Sequence, residues 1–198
     1  MRAWIKKIFF KPKRVCFVGV GGGGSNIVEQ IANFDASHTF VHLNSDIQAL
    51  KQKKHGSKIV LGYKDKQGLG CGANVACGTS LFDEKTKAKL KPFLDKKQTL
   101  CLVSTLGGGV GSGVTPHLVA YLKKQKQPFR VVVVMPFGFE GKKRKSTATQ
   151  SLEQIKKQTQ NLHTLLNDTC LKKGSQKGYL ESLEEIAKEV HERGVWEE

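Results

Sequence analysis

Apolar residues along this chain alternate between two rhythms. Short apolar-rich runs at Val15–Val20, Thr39–Leu43, Lys58–Leu61, Thr99–Ser104, Arg130–Met135 and His163–Leu166 read as strands. Val15–Val20 is nearly continuous and Arg130–Met135 holds four successive valines, as expected of strands covered on both faces. Between them the apolar spacing is helical. Ser25–Phe34 carries Ile27, Val28, Ile31 and Ala32; helices also follow over Asp83–Leu94, Thr115–Lys124, Lys145–Leu162 and Tyr179–Arg193. Pro116 falls in the first turn of its expected helix, where a missing N–H is tolerated. Asn44-Ser45-Asp46 is a polar turn able to cap a short helix over 46–53. Residues 62–80, with five glycines, read as loop. Strands alternating with helices predict an α/β fold with a three-layer, mostly parallel, Rossmann-like sheet.

Two glycine clusters stand at strand-to-helix turns. One is Gly19-Val20-Gly21-Gly22-Gly23-Gly24-Ser25-Asn26, the other Gly107-Gly108-Gly109-Val110-Gly111-Ser112-Gly113. Glycine lets backbone amides approach an anion, and a helix N-terminus adds a favourable dipole. In a parallel sheet both clusters, Asn44–Asp46, Pro136–Gly141 and Asn167–Asp168 fall at the C-terminal edge of the strands, where such sheets bind ligands. Gly19-x-Gly21-x-x-Gly24 alone matches the dinucleotide fingerprint. The second cluster argues against a dehydrogenase, which needs no equivalent loop, and neither cluster has the Gly-Lys-Ser/Thr ending of a P-loop.

Charge and cysteine content narrow the setting. The chain has 198 residues and a formal net charge of +16. Residues 179–198 hold seven Glu against Lys188 and Arg193, so the remainder is more basic still. That field favours polyanions, including nucleotides and anionic lipid surfaces. Nucleic acid is disfavoured as a partner, since no aromatic interleaving accompanies the lysines. Cys16 and Cys101 lie in strand-like runs, and the five cysteines read as reduced, in a cytosolic protein. Cys71 and Cys77 lack zinc-site spacing, so no cysteine-held metal is expected. Residues 1–14 carry six basic residues and no acid, with Trp4, Ile5, Ile8 and Phe9 on one helical face. This cationic amphipathic pattern fits peripheral binding at the inner face of a membrane, an extra packed helix or a disordered arm.

The second cluster resembles the signature loop of tubulin and the bacterial division GTPase FtsZ, Gly-Gly-Gly-Thr-Gly-Thr/Ser-Gly. Residues 19–26, 44–50, 68–74, 136–144 and 167–168 also resemble FtsZ in order and spacing, over roughly residues 15–172. The resemblance implies a tubulin/FtsZ-type GTPase-domain fold and a GTP or GDP ligand, with Mg2+ accompanying GTP. It places Gly21, Gly22 and Asn26 in the first phosphate and base loop, and Ala73 and Asn74 by the γ-phosphate. Gly108, Gly109, Gly111 and Ser112 would cradle the α- and β-phosphates. Glu140 would accept from the ribose hydroxyls, Arg144 would reach the ribose–phosphate region, and Asn167 would bond the guanine edge. Glu140 and Arg144 equally fit a surface ion pair, and Asn74 and Asn167 equally fit turn residues.

The chain also departs from that pattern. Leu183 stands where a phenylalanine usually stacks on guanine, Ala187 where an acid or amide reads the base, and Val110 where the loop has threonine. No acidic catalytic loop follows residue 168. The expected organisation is a basic segment over 1–14, a nucleotide-binding domain over 15–172, and an acidic terminal helix over 173–198 as a shortened central helix. The implied function is a guanine-nucleotide module that regulates or partners FtsZ filaments, pairs with itself, or forms its own assembly. The alternatives are a GTPase completed in trans and a structural module that has lost nucleotide and binds membrane or polyanions.

Overall fold

The structure, a computed structural model, describes residues 14–62, 68–166 and 179–195. Within them the chain alternates strand and helix. The strands are β1 (Val15–Val20), β2 (Thr39–Asn44), β3 (Ser57–Val60), β4 (Thr99–Thr105), β5 (Phe129–Met135) and β6 (Leu162–Leu166). The helices are α1 (Gly21–Phe34), α2 (Ile47–Lys51), α3 (Val75–Ser80), α4 (Glu84–Leu90), α5 (Gly109–Lys124), α6 (Lys142–Lys156) and α7 (Tyr179–Val195). The strands form one sheet in the order β3-β2-β1-β4-β5-β6. Every pairing is parallel. This is the α/β fold the alternation predicts.

Successive side chains on a strand point to opposite faces, which divides the core in two. Cys16, Val18, Leu100, Leu102, Val131 and Val133 pack on one face against Val114, Leu118 and Leu122 of α5 and Ile155 of α6. Val15, Phe17, Cys101, Val103, Val132 and Val134 pack on the other against Ile27 and Ile31 of α1. Leu183, Ile186, Ala187 and Val190 of α7 join that second layer. Each such aliphatic side chain contributes roughly 1.5–3 kcal/mol when fully buried.

Several boundaries differ from the sequence reading. The greater part of each glycine cluster is helix: α1 begins at Gly21 rather than Ser25, and α5 at Gly109 rather than Thr115. Pro116 therefore lies inside α5, not in its first turn. A proline there has no N–H for the carbonyl four residues earlier. That carbonyl, on Ser112, instead accepts from Ser151 Oγ of α6 at 3.2 Å. Residues 75–80, expected as loop, form α3, started by Asn74 accepting from the Cys77 amide. In the expected 83–94 helix, α4 ends at Leu90, and Lys91–Phe93 is a 3-10 turn containing Pro92. In the expected 145–162 helix, α6 ends at Lys156; the amides of Gln158 and Thr159 both turn back to the Ile155 carbonyl, freeing Leu162 for β6.

Cys71 and Cys77 form a disulfide across Cα atoms 5.7 Å apart, so the expectation that all five cysteines are reduced fails for this pair. The Asn74 turn folds the loop back on itself and brings both cysteines within normal bonding reach. Cys16 and Cys101 are free and buried, as expected. Burial pushes both thiols up to about 12.

Candidate functional site

The strand order reverses between β1 and β4, which lie side by side with Val20 opposite Ser104. A cleft of about 360 Å³ opens at that edge, as expected where an open parallel sheet switches direction. Gly21–Gly23 form one wall, Thr105 and Gly108–Gly111 the opposite wall. Asn44, Ser45 and Asp46 from the end of β2 close one end, and Leu69–Gly72 another.

The two glycine-rich helix starts touch. Gly21 has φ +76°, and a Cβ there would sit 3.1 Å from the Gly111 amide nitrogen. The glycines divide by task. A Cβ on Gly24 would lie 2.3 Å from the Val103 carbonyl oxygen, and one on Gly111 2.2 Å from that of Thr105. Those two allow helix and sheet to approach. A Cβ on Gly108 would meet nothing within 4 Å, so Gly108 borders open space.

The electrostatics favour an anion. Neither α1 nor α5 has a side-chain cap or an acid in its first turn, whereas Asp46, Asn74 and Asp83 cap α2, α3 and α4. Two uncapped helix N-termini therefore converge on one cleft, each with partial positive charge. Its lining has no basic side chain and one carboxylate, Asp46, among the described residues, so any attraction for an anion must come from the backbone dipoles. Ser45 Oγ is buried in this wall without a partner among the described residues. A buried hydroxyl left unpaired costs about 1–3 kcal/mol, which a bound polar group would recover.

The structure brings Gly21, Gly22, Gly108, Gly109 and Gly111 together in the lining. The other expected residues stand around it. Asn26 accepts from Lys53 Nζ. Ala73 and Asn74 occupy the disulfide-tied turn beside Gly72, whose carbonyl accepts from the Gly109 amide at 2.8 Å. Ser112 is buried and its Oγ accepts from the Gly107 amide at 2.8 Å. Glu140 pairs with Arg144, and its other oxygen accepts from the Phe137 amide at 2.8 Å. Leu183 and Ala187 are buried in the core layer with α1. Asn167, Asp168, Cys170, and Trp4, Ile5, Ile8 and Phe9 lie outside the described residues. Thr105, Gly70, Cys71 and Gly72 are lining residues that the sequence reading does not assign. Thr105 could have been found from its place at the end of β4, two residues before the second glycine cluster.

A doubly wound parallel sheet with glycine-rich helix starts meeting at its switch point defines a nucleotide-binding α/β domain. The sequence matches the model of the Tubulin/FtsZ family, GTPase domain, over residues 14–174. The chain belongs to this family. It is 39% identical over 157 residues to the cell division protein FtsZ of Buchnera aphidicola subsp. Schizaphis graminum, an alignment covering 78% of this chain and 40% of that protein. The FtsZ of Buchnera aphidicola subsp. Acyrthosiphon pisum is 38% identical over the same length. The chain thus spans about 40% of the length of the curated relatives it matches. Among solved structures, the empty FtsZ dimer of M. jannaschii superposes with a TM-score of 0.79 at 25% identity, covering 96% of this chain and 55% of that one. CetZ2 of Haloferax volcanii shares the fold, with a TM-score of 0.78 at 22% identity over 89% of this chain and 57% of that one.

Proposed function

We propose that the cleft binds a guanosine di- or triphosphate and that the 198-residue chain is a binding module whose hydrolysis depends on a partner. The contact between the two glycine-rich helix starts, Gly21 against Gly111, carries this reading. Amides of both turns would grip the phosphates, and Ser45 Oγ offers one further polar contact. Asp46 is the one carboxylate in the described lining, and it could meet a phosphate-bound Mg2+ directly or through water. Glu140, Arg144 and Asn167 would act on the ribose and base, as the family resemblance implies.

Phosphoryl transfer to water needs a positioned nucleophile and charge around it. The described cleft supplies phosphate contacts but offers only Asp46 as an acid, already engaged in capping α2. A second subunit, either an FtsZ filament end or another copy, would supply the missing groups. Partnering with FtsZ, a cytoplasmic location and anchoring through residues 1–14 belong to this reading. No helix among the described residues is long and apolar enough to cross a membrane.

Calorimetry of the 198-residue chain with GDP, GTP and ATP tests the proposal. One-to-one binding of GDP and GTP, with ATP at least tenfold weaker, is expected, together with phosphate release at background until FtsZ is added. Absence of heat with GDP and GTP would overturn the binding claim. Steady phosphate release by the chain alone would overturn the dependence on a partner.

A further inference from the structure

At the opposite edge of the sheet, a strand length of about 20 Å from the cleft, three donor atoms converge. Asp35 ends α1, His38 precedes β2 and His191 lies on α7. His38 Nε2 is 3.2 Å from His191 Nε2 and 3.3 Å from Asp35 Oδ2, and His191 Nε2 is 3.0 Å from the same oxygen. A tetrahedral zinc ion with bonds of about 2.0–2.1 Å sets its ligands about 3.3 Å apart. The three edges of this triangle come close to that spacing. We propose that Asp35, His38 and His191 form a binding site for a divalent first-row transition metal, best suited to zinc, with a fourth position open to solvent.

The surroundings of each ligand fit that use. Asp35 Oδ1 is already engaged, accepting from the Ser37 hydroxyl at 2.6 Å and the Ser37 amide at 3.0 Å. This leaves Oδ2 aimed at the two imidazoles. A hydrogen-bonded carboxylate ligand and rings fixed by their neighbours are the usual outer support of a metal site. Here the support is aromatic. Phe17 stacks on His191 and meets the edge of His38, with centroids 6.0 and 5.3 Å away, and Phe34 meets His191 at 5.4 Å. His38 is buried while Asp35 and His191 are half-buried, so one side of the triangle reaches solvent and gives an ion a way in.

Without metal, two ring nitrogens and one carboxylate oxygen must share protons in a crowded triangle. With metal, His38 carries its proton on Nδ1 and gives up a contact with the Val15 amide that is long at 3.4 Å. The ion would tie α7 to the turn between α1 and β2.

The test uses the untagged 198-residue chain, stripped with chelator and titrated with zinc against a fluorescent zinc indicator. Saturable one-to-one binding is expected, with a rise in melting temperature. Asp35→Asn and His191→Gln should each weaken it at least tenfold. His55→Gln, whose Nδ1 pairs instead with Glu29 Oε1 at 3.1 Å, should leave it unchanged. Cobalt should give the visible absorption of a tetrahedral ion in the parent chain and lose it in His191→Gln. Circular dichroism confirms that each variant is folded; should one fail, the zinc-dependent melting shift of the parent chain at graded free zinc still decides. No saturable site, no melting shift, or undiminished zinc binding in a folded Asp35 or His191 variant overturns the proposal.

Discussion

Gly108 and Gly24 sit at the starts of two similar helices, yet a methyl group should affect them in opposite ways. Gly24→Ala drives a Cβ into the Val103 carbonyl oxygen, and such overpacking costs ~1–3 kcal/mol. Gly108 has φ −97°, which any residue adopts, and open space beside it. Gly108→Ala should therefore hold stability within ~0.5 kcal/mol, as surface changes usually do. If the proposed phosphate site is right, its methyl should intrude there and lower GDP affinity about tenfold or more, ~1.4 kcal/mol. Urea melts and GDP titrations of both variants separate the two tasks; equal loss of stability would contradict the division. The sequence revealed the glycines but not this division, because a bare Gly run does not say which member faces carbonyls and which faces solvent. The same limit applies to Ser45: its identity is plain in the sequence, but its unpartnered burial emerges only once β2 is folded against its neighbours.

The elements themselves were largely legible, since unbroken valine runs and helical stripes leave few alternatives. The errors fall where local chemistry is overridden. Glycine's poor helix propensity marks both clusters as loop, yet packing against the sheet draws Gly21–Gly24 and Gly109–Gly113 into helix. Pro116 then stands inside α5, and Ser151 of α6 supplies the bond it removes. Ser151→Ala should expose that debt. The Ser112 carbonyl would be left buried without its donor, at a cost of about 1–3 kcal/mol. Ser151 Oγ has a single proton, and the Thr147 carbonyl of its own helix at 3.1 Å shares it, so a loss at the lower end of that range is expected. Pairing Ser151→Ala with Pro116→Ala restores an N–H for Ser112. The double variant should regain most of the loss in a urea melt; purely additive destabilisation would count against this account.

Across the described residues, the displaced histidines and carboxylates lean the same way. Burial lowers His38 and His42, outweighing the carboxylates that raise them. Burial would raise Glu29, Asp35 and Asp83, yet their hydrogen bonds and neighbouring charges leave all three below the ordinary value. Each group therefore binds its proton more readily in the unfolded chain, and stability rises with pH. It should be full above about pH 7, fall as pH drops through the unfolded imidazole value near ~6.5, and fall again through the carboxylate range near ~4. Urea midpoints across this span, with chelator present, check it; a midpoint that stays level between about pH 7.5 and 5.5 would refute the histidine part. The covalent tie between Cys71 and Cys77 adds a variable that no titration reaches. It borders the cavity through Cys71, so reduction would remove a covalent staple from one wall of the cleft.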